Sequence, residues 1–166
     1  MALAAGLFAL APIAPARAQD PSFVNVSVGR FDFNRQQDPS WEGGVQYRSD
    51  LKLWIFQPMV GAMHDLHGST NVYAGISLDI FLGKRIVLRP SFAPSAYARA
   101  GGKDLGGVIE FRSAGEIAYR FDDRSRLGIE IYHLSNAHLY NKNPGEESVT
   151  LVYSLPTATI RSWFGD

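Results

Sequence analysis

I-E-F-R-S-A-G-E-I-A-Y-R, residues 109–120, alternates without interruption. Successive side chains of an extended chain point to opposite faces, so Ile109, Phe111, Ser113, Gly115, Ile117 and Tyr119 share one face. Glu110, Arg112, Ala114, Glu116, Ala118 and Arg120 share the other, which is charged along its length. Soluble sandwiches and transmembrane barrels both alternate in this way, but strand length separates them. Soluble strands average about 5–6 residues, whereas a tilted strand needs about 9–11 to cross a bilayer. The stretch predicts the membrane-crossing kind.

The same period recurs on both sides of it. Residues 23–33 alternate around Val24, Val26 and Val28, with Arg30 on the valine parity, so the wet side of this first strand is ambiguous. Residues 41–50 set Trp41, Gly43, Val45 and Tyr47 against Glu42, Gly44, Gln46 and Arg48. Residues 51–64 carry Leu51, Leu53 and Ile55 on one parity with a bend at Pro58; residues 71–82 and 85–97 follow, the latter broken by Pro90 and Pro94. With 125–135 and a last segment from Glu147, the expected fold is all-β: an eight-stranded antiparallel transmembrane β-barrel of the bacterial outer membrane. An even, closed set leaves no unpaired edge in hydrocarbon. Trp41, Tyr47, Tyr119, Phe121 and Trp163 near strand ends suit interfacial girdles, and the last strand either stops near Pro156 or runs on to Trp163-Phe164. So narrow a barrel must be filled. Arg30, Glu42, Arg48, Asp79, Arg89, Glu110, Arg112, Glu116, Arg120 and Glu130 are expected to supply most of an internal ion-pair network, because buried charges are tolerated only when paired.

Composition narrows the function. The 166 residues carry 16 Lys and Arg against 16 Asp and Glu, so no basic field argues for nucleic acid. The absence of cysteine excludes disulfides, thiolate metal sites and a cysteine nucleophile. Leu3 to Ile13 is apolar and Ala16-Arg17-Ala18 is an A-x-A cleavage pattern, which predicts a signal peptide over 1–18 and a single barrel domain over 19–166. No cofactor or metal is implied; His64-x-x-His67 with Asp65 reads as two loop histidines.

The chemistry concentrates in I-E-I-Y-H-L-S-N-A-H-L-Y-N-K-N-P-G-E-E-S-V, residues 129–149. His133 and Ser135 share a strand face with Ile129 and Ile131, and Glu147 shares one with Val149 and Leu151. A hydroxyl nucleophile, an imidazole to take its proton and a carboxylate to orient the imidazole make up the machinery of serine acyl transfer. Asn136, next to the serine, is a candidate oxyanion-hole donor through its amide or backbone N–H, or a strand-ending turn residue. His138 is an alternative base on the opposite parity. An apolar-side active site makes sense if that side faces lipid.

H-L-S-N at 133–136 followed by N-P-G-E-E-S at 143–148 resembles the outer-membrane lipid A 3-O-deacylase family, PagL. The resemblance implies that His133, Ser135 and Glu147, with Glu146 as fallback, hydrolyse the ester at position 3 of lipid A. It also implies a lipopolysaccharide substrate. With periplasmic termini, the site would lie at the outer-leaflet end of strands seven and eight. Homodimerisation is left open, and a non-catalytic barrel with a structural or surface-binding role is the alternative.

Overall fold

The computed structural model describes residues 20–165, so the expected signal peptide lies outside the described residues. Nine strand segments form one closed antiparallel sheet: β1 (Phe23–Phe31), β2 (Ser40–Arg48), β3 (Gln57–Asp65), β4 (Thr70–Ser77), β5 (Ile80–Leu82), β6 (Ile86–Ala98), β7 (Ile109–Arg120), β8 (Arg126–Ser135) and β9 (Glu146–Pro156). β4 and β5 both pair with β6 and make one interrupted strand of the barrel, so the ring has eight. The interruption falls at Leu78–Asp79, where Asp79 receives Arg48 and Arg126 inside the barrel at 2.7 and 2.9 Å. Closure comes where β1 pairs with β2 on one side and β9 on the other, with Phe23 opposite both Arg48 and Pro156.

The alternation decides which side chains go in. On β7 the Glu110/Arg112/Glu116 face is buried, while Ile109, Ile117 and Tyr119 are exposed. Inside, Arg89 pairs with Glu116 and Arg112 with Glu130, and the Arg112 guanidinium lies 4.1 Å from the centroid of the Tyr132 ring. Arg126 also reaches Asp20 at 3.1 Å, and Arg48 and Arg126 both stack on the Phe23 ring. Towards the end opposite the termini the filling turns apolar: Phe31, Met63, Tyr97, Leu105, Tyr132 and Leu134 form one cluster. Leu105 comes from the loop between β6 and β7, which folds into the barrel mouth and buries the Lys103–Asp32 pair, 2.6 Å apart.

Two expectations are corrected, and the open end of the last strand is fixed. Arg30 is not internal: it follows Val26 and Val28 onto the outward face, because the inward slots of β1 belong to Asn25, Gly29 and Phe31. Residues 51–56 are not strand; Leu53 and Phe56 bond each other across a tight turn with Trp54 at φ +62°. The last strand ends at Pro156, and Thr157–Ser162 form a short helix, α1, whose first amide is tied to the Ser22 carbonyl at 2.8 Å.

Arg112→Met should leave Glu130 as an unanswered buried charge and destabilise the barrel by about 3–5 kcal/mol. The measurement is the urea midpoint of refolded protein followed by heat-modifiable gel migration.

Candidate active site

β8 ends at Ser135 and β9 begins at Glu146, at the barrel end opposite the termini. The inward face of β8 is anchored here. The Tyr132 hydroxyl donates to Glu42, and Leu134 is fully buried in the apolar cluster. Ile129, Ile131, His133 and Ser135 are thereby held on the outward face.

His133 and Glu147 stand directly opposite each other in the β8–β9 ladder. The imidazole Nδ1 lies 3.2 Å from Glu147 Oε1. With Nδ1 facing a carboxylate, the other ring nitrogen, Nε2, is the one left to accept a proton. Glu147 Oε2 is 3.7 Å from Arg35 Nε, and Arg35 also donates to the Pro144 carbonyl. The carboxylate thus meets β8 through His133 and loop 32–39 through Arg35. Gly145, at φ +63°, packs against the free edge of the imidazole: a Cβ there would stand 2.9 Å from His133 Cε1. Only glycine meets both demands, the left-handed backbone and the close approach. Ser135 sits two residues along on the same face, half-buried. Among the described residues no hydrogen bond joins it to His133, a contact that in resting hydrolases often tightens only with substrate.

Asn136 points inward and is fully buried. Its amide donates to the carbonyls of Leu105 at 2.8 Å and Lys142 at 2.7 Å, and its Oδ1 accepts from the His138 N–H at 3.0 Å. Its own backbone N–H donates to Asn143 Oδ1 at 3.1 Å. All its donors are therefore spent on bracing two loops, in a turn where Ala137 and His138 both adopt positive φ. Glu146 faces the interior, accepting from Ser148 Oγ at 3.0 Å and from the Asp32 amide. His138 is exposed on the turn with Nδ1 3.4 Å from Asn143 Nδ2. Of the two expected loop histidines only His67 lies in a loop, where it pairs with Asp38 at 2.9 Å; His64 belongs to β3 and bonds Thr70, and no group of three or more metal-ligating side chains occurs among the described residues.

Next to His133 the outward face forms an apolar groove of about 350 Å³, floored by Gly115 and Pro90 and walled by Leu88, Ile117, Ile129 and Ile131. Gly115 lies opposite Ile131, one same-face row from the Ser113–His133 pair, and a Cβ at Gly115 would meet nothing within 4 Å.

An imidazole–carboxylate pair beside a serine, on the outer wall of a closed barrel and at the head of an apolar groove, is the setting for acyl chemistry at a membrane. The family model described as lipid A 3-O-deacylase (PagL) matches residues 23–156, from the first residue of β1 to the last of β9. The chain belongs to this family. It is accordingly an ester hydrolase built as an outer-membrane β-barrel. Its structure is similar to the crystal structure of the outer membrane enzyme PagL, at 22% identity over 81% of this chain and 99% of that one, TM-score 0.64. A de novo designed transmembrane β-barrel (13% identity, 84% and 98% covered, TM-score 0.56) and Neisserial surface protein A (9%, 81% and 95%, 0.55) share the fold. No curated protein matches the chain in sequence.

Sequence reasoning missed Arg35 and Gly145. The N-P-G-E-E run did hold a signal for Gly145, since glycine between proline and glutamate marks a turn, but its contact with the imidazole is visible only in three dimensions. Gly145→Ala should push the His133 ring out of line. A misplacement of this kind costs about 10²-fold in turnover, with heat-modifiable migration unchanged, as measured by parallel ester-hydrolysis and gel assays.

Proposed function

We propose that the protein removes the ester-linked 3-hydroxyacyl chain at position 3 of lipid A by a Ser-His-Glu acyl-enzyme mechanism. The observation that carries this reading is the His133–Glu147 pair standing outward beside Ser135, over an apolar groove. Ser135 Oγ attacks the ester carbonyl while His133 Nε2 takes its proton, and Glu147 stabilises the imidazolium. The tetrahedral intermediate collapses, and the sugar oxygen leaves with the proton from His133. Water, deprotonated by His133, then attacks the acyl-enzyme and releases the fatty acid. Asn136 would donate to the oxyanion, through its amide or backbone N–H, only after giving up the Leu105, Lys142 or Asn143 contact that now occupies each of these donors.

Orientation follows from the loops. The site end carries the connections 32–39, 66–69, 99–108 and 136–145, three of them eight residues or longer, while the terminal end carries 49–56 and the short turns 83–85 and 121–125. In outer-membrane barrels the short turns are periplasmic. The site end is then extracellular and the outward-facing serine meets the outer leaflet, where lipopolysaccharide resides. The groove along Gly115 and Ile131 takes the chain to be cleaved.

Mass spectrometry of lipid A incubated with detergent-refolded protein should show loss of one 3-hydroxyacyl group. Ser135→Ala should reduce the rate by at least about 10³-fold. Acyl loss undiminished in that variant would mean another nucleophile, and no loss with folded wild type would sink the deacylase reading. Filling the groove gives a separate test. Gly115→Phe should lower kcat/KM for a fourteen-carbon chain by roughly 10-fold or more while sparing a short-chain ester, measured with a series of chain lengths.

A further inference from the structure

On the outward face of the described strands only two positions carry Asp, Glu, Lys or Arg: Glu147 and Arg30. Glu147 is answered within the chain, by His133 and Arg35. Arg30 has no carboxylate within ion-pair distance among the described residues. Its guanidinium lies over the exposed Trp41 indole, 5.4 Å from the ring centroid. An aromatic face offsets only part of what a cation loses away from bulk water.

Its position is specific. One hydrogen-bonded row runs Ile131–Val149–Arg30–Trp41 across four strands. Arg30 is therefore two strand spacings, about 10 Å, from the isoleucine that walls the acyl groove. It lies on the opposite flank of Glu147 from His133. Arg30 is the penultimate residue of β1 and Trp41 the second of β2, both at the site end of their strands, so a headgroup whose ester sits at Ser135 and whose chain lies along Gly115 would extend over this flank. The anion that such a glycolipid offers at headgroup level is a phosphate ester, and the planar guanidinium can take two of its oxygens at once. Trp41 behind it supplies a flat amphipathic surface of the kind found at the membrane interface.

We propose that Arg30, backed by Trp41, is a subsite for a phosphate ester on the sugar headgroup of the substrate. The proposal rests on the deacylase reading for the identity of the lipid. It assigns to Arg30 a role in binding and none in the chemical step.

Binding can be read without turnover in the Ser135→Ala protein, titrated in detergent with bisphosphorylated lipid A and with the same lipid enzymatically dephosphorylated. Ser135→Ala should bind the phosphorylated lipid about tenfold more tightly, as expected for a charge-assisted hydrogen-bonded pair. Ser135→Ala/Arg30→Gln should bind the two lipids equally. A phosphate preference that survives loss of Arg30, or one absent from Ser135→Ala, overturns the proposal. Competition by phosphatidylglycerol or inorganic phosphate at equal concentration would overturn the assignment to the glycolipid's own phosphate. In the catalytically intact Arg30→Gln protein, KM for the phosphorylated lipid should rise about tenfold, while kcat and hydrolysis of a headgroup-free p-nitrophenyl ester stay unchanged. Wild type incubated with both lipids reports the underlying reading separately: phosphate-dependent binding without acyl loss would refute the deacylase and leave the subsite standing.

Discussion

Hydrocarbon offers the backbone no hydrogen-bond partners, so every amide and carbonyl of a membrane-crossing strand must be satisfied by its neighbours. This requirement fixes the register of each strand. In the β8–β9 ladder it sets His133 opposite Glu147, and in the β7–β8 ladder it sets Gly115 opposite Ile131 and Ser113 opposite His133. A one-residue slip would turn every side chain to the other face and carry His133 into the lumen. The geometry of the site is therefore a by-product of closure, held by main-chain bonds far more numerous than the contacts among the site's own side chains.

The interior and the exterior divide the work. Inside, tyrosines, arginines and carboxylates interlock, so the inward side chains of β8, Arg126, Glu130, Tyr132 and Leu134, are each pinned. Outside, the same strand presents His133 and Ser135 from a backbone that cannot shift without breaking that packing. Asn136 extends the arrangement into the loops. Its side chain joins residues 99–108 to residues 136–145 at Leu105 and Lys142, so the mouth of the barrel and the turn after the serine are tied together.

The sequence made the strands legible where alternation was long and clean, as in β7, and hid them where composition imitated alternation. Leu51, Leu53 and Ile55 have strand parity and strand propensity, yet they lie in a turn, because backbone conformation at Trp54 is not written in hydrophobicity. Arg30 shows the converse: its charge points to the lumen, but parity, which is geometric, carries it outward. His133 and Ser135 could be placed on one face by counting in twos, and the outward pair formed with Glu147 has the parity expected for that residue over Glu146, which lies inside. Arg35 could not be found this way. It sits 112 residues from Glu147 along the chain, and nothing in a loop sequence says which loop it will reach.

Arg35 also shows how a carboxylate can be kept at a lipid surface. A charge there is tolerated only if it is paired, and pairing with His133 alone would leave one oxygen unanswered whenever the imidazole is neutral. Arg35 sets a second positive charge 3.7 Å from the other oxygen, an ion-pair contact without a hydrogen bond, and through the Pro144 carbonyl fastens the backbone that positions Gly145 against the ring. The same guanidinium thus steadies the charge that orients the imidazole and the glycine that limits its swing. Loops 32–39 and 136–145 must both be in place before His133 is held on all sides. The site is complete only when the strands on either side of the closure, β1 and β9, have joined.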